Sequence, residues 1–159
     1  MNVLIRRMKE TDIDDMTKVY LDSFKGMRDP ESVEKWIRCN FNAYPRMQYF
    51  VAEIDGRVVG YILWVEKGGF RKEAVLELEQ IGVLRDYRGQ GIGSKLIIKS
   101  LEEMKKYLMG RGSKLKLVEV TTGTSNQAQK LYIKTLNAKP ECLIKDLFRG
   151  DELIMIARF

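Results

Sequence analysis

A chain of 159 residues, 45% apolar and 31% charged, is sized and composed for a single domain spanning 1–159 with a core of its own. It contains no histidine, which excludes Ser-His-Asp and Cys-His machinery, HExxH zinc sites and histidine general bases. Cys39 and Cys142 offer neither metal-ligand spacing nor a disulfide framework, and no apolar run approaches the roughly 20 residues of a membrane span.

The charged opening stretch, NVLIRRMKETD, lacks the apolar core of a secretory leader, so a cytoplasmic protein with reduced thiols is expected. Residues 2–8 read as a first strand. Thr11 and Asp12 offer N-caps for a helix carrying Ile13, Met16, Val19, Tyr20 and Phe24. After a loop marked by Gly26 and Pro30, Val33, Trp36, Ile37 and Phe41 predict a second helix over 31–42, ended by Pro45. Strands follow at 49–54 and 58–65 around an Asp55-Gly56 turn, and a polar glycine turn at 67–72 leads on to a third, giving an antiparallel meander.

The third strand carries Leu76, Leu78, Ile81 and Val83 and runs into a turn at 85–88. Gly89, Gly91 and Gly93 then occupy every second position. From Ile92 the period becomes helical, with Leu96, Ile97, Leu101, Met104 and Leu108 on one face and lysines and glutamates on the other. Strand, glycine loop and helix N-terminus together make an anion cradle, because the first helical amides lack intrahelical partners and glycine lets a ligand approach closely. Arg88 adds a planar fork of donors. A P-loop is excluded because no Lys-Ser or Lys-Thr pair follows Gly93. A dinucleotide fingerprint is excluded because Ser94 stands where its third glycine belongs.

Gly110 to Gly112 stop the helix. A strand at 115–120, a loop at 121–125, a helix at 126–136 closed by Asn137 in the left-handed region, and strands at 141–148 and 152–159 joined near Arg149-Gly150-Asp151 complete the chain. The net charge of +6 fits a polyanionic ligand, a nucleic acid or a lysine-rich surface. The lysines are dispersed and no aromatic-interleaved basic block stands out, which favours the last.

The stretch Arg88-Gly89-Gln90-Gly91-Ile92-Gly93, preceded by Ile81-Gly82-Val83 and Tyr87, resembles motif A of the GNAT acetyltransferases, (Arg/Gln)-x-x-Gly-x-(Gly/Ala). The element order β-α-α-β-β-β-α-β-α-β-β is also similar to that family's. The resemblance implies an α/β (α+β) fold: one mixed, mostly antiparallel sheet of about seven strands flanked by four helices. It further implies acetyl-CoA as co-substrate and no metal. In the family this loop holds the cofactor pyrophosphate and the strand before it pairs with the pantetheine arm. That assigns Ile81, Gly82, Val83, Arg88, Gly89, Gln90, Gly91, Ile92, Gly93 and Ser94 to the cofactor.

Downstream, Ser125-Asn126-Gln127-Ala128-Gln129-Lys130-Leu131-Tyr132 resembles the family's NxxAxxLY signature, whose Tyr lies near the thioester sulfur. Tyr132 is thus a proton donor or a packing aromatic, and Asn126 a cofactor contact displaced by one position. The usual Gly-Phe after this helix is replaced by Asn137-Ala138. Glu77 and Glu79, two apart on the strand, share a face with Ile81 and Val83 unless a bulge changes the parity. Their offset from motif A matches the general base of several members, Glu79 ahead of Glu77; alternatively both are edge-exposed or paired with lysines. Glu119 sits in a Val-Glu-Val context like that of a functional Glu in ribosomal-protein N-acetyltransferases, or is a solvated position.

Acceptor choice is expected from residues 24–30, 44–47 and 148–151, with Phe24, Trp36, Tyr44 and Tyr49 lining an apolar slot or belonging to the core. The resemblance implies transfer of acetyl to a primary amine of a small molecule or peptide by direct attack in a ternary complex. The competing class is a catalytically weak acyl-CoA-binding sensor module. Membrane and nucleic-acid partners are not expected, and a homodimer is left open.

Overall fold

Seven strands form one mixed sheet in the computed structural model, which describes residues 2–159. They are β1 (Leu4–Arg7), β2 (Met47–Ile54), β3 (Arg57–Lys67), β4 (Glu73–Val83), β5 (Lys114–Gly123), β6 (Lys139–Ile144) and β7 (Glu152–Arg158). Their spatial order is β1-β2-β3-β4-β5-β7-β6. The helices are α1 (Ile13–Ser23), α2 (Pro30–Asn42), α3 (Ile92–Gly110) and α4 (Ala128–Leu136). Among the described residues, no helix is long and apolar enough to cross a membrane.

The chain divides into two compact units, Met1–Trp64 with Gln80–Glu102 and Val65–Glu79 with Glu103–Phe159. In the first, β1 pairs antiparallel with β2 from Leu4↔Glu53 to Arg7↔Phe50. Arg6 ties the two strands to the chain before α1, donating to Glu53 at 2.7 Å and to both oxygens of Asp12 at 2.7 and 2.9 Å. Asp29 caps α2 by accepting from the Ser32 amide at 2.9 Å, and Pro30 occupies the first turn, where its missing N–H costs nothing. Trp64, Tyr61, Phe50, Met16, Ile37, Leu96 and Ile97 fill the core. The buried Trp64 indole is satisfied by Ser100 Oγ at 2.8 Å.

In the second unit β4 and β5 run parallel, while β7 is antiparallel to both β5 and β6. Leu76, Leu78, Met104, Leu108, Val118, Val120 and Met155 are buried. Arg111, just past α3, pairs with the buried Glu66 carboxylate and lies over the Tyr107 and Phe70 rings at 5.4 and 4.9 Å. The predicted apolar stripe of α3 is the face that is buried.

Several boundaries differ from expectation. A 3-10 turn, Glu10–Asp12, precedes α1, because Asp12 accepts from the Lys9 amide at 2.7 Å and so closes that turn rather than capping the α-helix. Strand β4 begins three residues before Leu76, and β5 runs through 121–123, which sequence patterning assigned to a loop. Its pairing with β7 extends to Gly123↔Glu152 and holds those residues extended. β6 ends at Ile144 rather than 148. Asp146 adopts φ 50° and its amide donates to Asp151 Oδ1 at 3.2 Å, so the chain turns there. Asn137 closes α4 at φ 54°, as predicted.

Candidate active site

The glycine loop has the backbone its composition demands. Gly89 and Gly91 sit at φ 75° and 78°, and a Cβ on either would meet no atom within 4 Å. These glycines are therefore needed for conformation, not to relieve internal crowding, and the space beside them is open. The first α-helical bond of α3 runs from Lys95 N to Gly91 O at 3.1 Å, so the amides of Ile92, Gly93 and Ser94 precede any intrahelical acceptor. Gln90 folds back and donates from Nε2 to the Asp86 carbonyl at 3.1 Å.

Arg88 is held by the end of β4 and by α1. Its Nε donates to the Val83 carbonyl at 2.7 Å, and its Nη2 to Asp22 Oδ2 at 3.0 Å. Asp22 also accepts from the Arg85 amide at 2.6 Å. The guanidinium thus pins the loop to the end of α1. Asp22 was not legible in sequence, since it lies 66 positions from Arg88. Gly82 is explained by packing: a Cβ there would stand 3.0 Å from Ser23 Oγ and 3.2 Å from Phe24. Ile81 and Val83 flank it on β4, partly buried.

The candidate acids lie in the second unit. Glu77 and Glu119 face each other as the last pair of the parallel β4–β5 ladder. Lys67 joins them, with its Nζ 3.3 Å from Glu77 and 2.9 Å from Glu119. Burial alone would lower the Lys67 ammonium pKa, but the two carboxylates outweigh it and raise it above lysine's ordinary value. Glu79, two residues past the ladder's last pair, is exposed. Lys67 was assigned to a polar turn in sequence, and no local pattern marks its role.

Tyr132 is buried in α4, and burial pushes its phenol up to about 12. Among the described residues the one sealed side-chain polar atom without a partner is Thr122 Oγ1. Asn126 Oδ1 accepts from the Ala128 amide at 2.9 Å, so this side chain starts α4.

In the first unit, a cavity of about 550 Å³ opens between α1, α2 and β4. Of the four aromatics singled out in sequence, Trp36 lines it. Tyr44 and Tyr49 border a separate hollow with Phe41 and Met8, and Phe24 packs against Tyr20 and Tyr61. Gln80, not singled out, reaches the cavity from β4 and accepts from the buried Tyr61 hydroxyl at 3.1 Å.

A mixed seven-stranded sheet with four helices, carrying a glycine loop into a helix N-terminus after its fourth strand, is the architecture of an acetyl-CoA-type transferase. The acetyltransferase (GNAT) family model matches residues 13–137, and the chain belongs to that family. An uncharacterized N-acetyltransferase of Archaeoglobus fulgidus is 32% identical over 150 residues, covering 86% of this chain and 94% of the relative. An N-alpha-acetyltransferase of Sulfurisphaera tokodaii is 32% identical over 108 residues, 64% of this chain and 62% of the relative. Among solved structures, Ard1 from Thermoplasma volcanium superposes with a TM-score of 0.79 at 16% identity, covering 99% of this chain and 98% of its own. The ribosomal-protein-S18-alanine N-acetyltransferase of Escherichia coli gives 0.77 at 17% identity, covering 99% and 94%. At such identities these two likenesses establish the fold.

Proposed function

We propose that this protein transfers the acetyl group of acetyl-CoA to a primary amine by direct attack within a ternary complex. The observation that carries the reading is the loop at 88–94: two glycines in the left-handed region, open space where their side chains would be, and helix amides with no intrahelical acceptor. The residues present fit a pyrophosphate. The amides of Ile92, Gly93 and Ser94 supply the donors, and Arg88 fixes the loop that presents them. The β4–β5 ladder ends at Glu77↔Glu119, so β4 continues past it with backbone groups to which an extended pantetheine arm can add as a strand.

Acetyl-CoA supplies an activated thioester. The protein must take a proton from the amine and stabilise the departing thiolate. Tyr132, protonated at neutral pH, donates a hydrogen bond to the sulfur. Among the glutamates Glu79 is the favoured base, because its offset from the glycine loop matches the position several family members use and its side chain is exposed to an incoming amine. The name of the Sulfurisphaera relative supports an α-amine acceptor, whose pKa near 7.7–8.0 leaves about 1 kcal/mol to overcome at neutral pH.

Gly91→Glu tests the reading. It sets a carboxylate beside the cradle at φ 78°, a conformation unfavourable for glutamate. Calorimetry should show acetyl-CoA binding lost, and thiol release with an amine acceptor should fall with it. Equal affinity in mutant and wild type would refute the cradle. Wild-type binding without thiol release from any amine would instead support the sensor class.

A further inference from the structure

The cavity between α1, α2 and β4 has a one-sided chemistry. Tyr20, Met27, Val33 and Trp36 supply apolar walls, and among all its lining residues the sole formal charge is a cation, Lys35. Among the described residues, no aspartate or glutamate lines it. Met27 and Trp36 are 51% and 49% exposed, so two large apolar side chains stand at the mouth with half their surface in water. Gln80 ties the cavity to β4, two residues before Gly82 on the strand that leads into the glycine loop. A molecule seated there lies alongside that strand. The volume, about 550 Å³, is that of a small-ligand site and far exceeds the need of a short aliphatic amine.

We infer that this cavity selects the acceptor, taking primary amines that carry a bulky apolar group and no second cation. The inference rests on the acetyl-transfer reading above and adds the substrate class. An apolar substituent covers the Trp36 and Met27 surfaces and gains the free energy of their burial. A polyamine would have to bring a second ammonium into a site with no carboxylate and one lysine, losing hydration without a partner. The same apolar, anion-free lining disfavours the ammonium form of the reacting amine, and so favours its neutral, nucleophilic form.

The test compares phenethylamine, Phe- and Leu-initiated tetrapeptides, Ser- and Gly-initiated tetrapeptides and spermidine as acceptors by thiol release. The bulky apolar amines should be preferred in kcat/KM by roughly ten- to a hundredfold, the worth of one large apolar group. Trp36→Ala should raise KM for them by roughly tenfold with acetyl-CoA affinity unchanged. Lys35→Glu should raise spermidine use. Cys39 lines the cavity and is exposed, whereas Cys142 is exposed on β6, so alkylation supplies a readout that needs no turnover. Phenethylamine or a Phe-initiated peptide should protect Cys39 and leave Cys142 reactive, and spermidine should protect neither. Protection and turnover by phenethylamine alone, or by peptides alone, support the inference and identify the source as free amines or polypeptide N-termini. Spermidine or Ser-initiated peptides used equally well, or Cys39 alkylated at an unchanged rate under saturating apolar amine, would overturn it. Protection of Cys39 without turnover of any amine would leave the selectivity standing and remove the enzymatic reading instead.

Discussion

Tyr132 illustrates how one residue's environment fixes its protonation state. Its side chain is 6% exposed, and desolvation pushes the phenol from an ordinary 10.0 up to about 12. At neutral pH it therefore keeps its O–H donor, the form required next to a developing thiolate. Tyr132→Phe keeps the ring and removes the donor. If the hydrogen bond forms only as the sulfur departs, kcat and kcat/KM should fall together, by roughly a hundredfold, with acetyl-CoA affinity unchanged. The same variant reports on stability. An unfolded tyrosine titrates near 10 and the folded one near 12, so between those values the unfolded chain loses its proton first. Stability tied to this group is intact below pH 10 and lost as pH rises toward 12, at most about 2–3 kcal/mol. Urea denaturation from pH 9 to 12 should show a steeper alkaline decline in the wild type than in Tyr132→Phe. Parallel declines would mean that the phenol is solvated in the folded state.

At the scale of elements, the end of the parallel β4–β5 ladder sets two carboxylates opposite each other, Glu77 against Glu119. Like charges so placed are destabilising, and here the last residue of β3, Lys67, lies between them. Lys67→Met should lower the melting temperature at pH 7. The deficit should shrink at high ionic strength, which screens the repulsion that Lys67 had offset. A deficit independent of salt would indicate lost packing rather than lost charge. Sequence offered a lysine partner for Glu77 as an alternative, but it did not point to Lys67 or join Glu119 to the pair, because the three members come from three elements. By contrast, the α3 stripe was legible because helical periodicity is local and all six apolar positions obey it. The close of β6 was missed for a different, local reason: Asp146 at φ 50° and its bond to Asp151 outweigh the apolar residues that resume at Leu147 and Phe148.

For the molecule as a whole, element order and motif A made the fold and the glycine loop leading into the α3 N-terminus readable in sequence, because both are written in contiguous residues. The cavity was not readable. Trp36 and Tyr44 looked alike in sequence, yet one faces the hollow beside β4 and the other a separate one. The most informative whole-chain fact for mechanism is an absence: with no histidine in 159 residues, a rate limb near pH 6 to 8 must come from the acceptor amine itself or from a group shifted out of its ordinary range, such as a glutamate or a cysteine. Of the three candidate glutamates, Glu79 is the exposed one. Glu79→Gln keeps size and hydrogen-bonding capacity and removes the basic oxygen. If Glu79 accepts the amine's proton directly or through a water, the variant should lose roughly 10²–10⁴-fold in rate while still binding acetyl-CoA. For a lysine-like amine of pKa near 10.4 the loss should shrink at high pH, where the acceptor is already neutral. For an α-amine of pKa near 8 it should shrink about two pH units earlier. Full activity at pH 7 in Glu79→Gln, Glu77→Gln and Glu119→Gln alike would exclude a carboxylate base. The protein would then act by positioning an amine that arrives neutral, and the pH profile would follow the acceptor's own pKa from one substrate to the next.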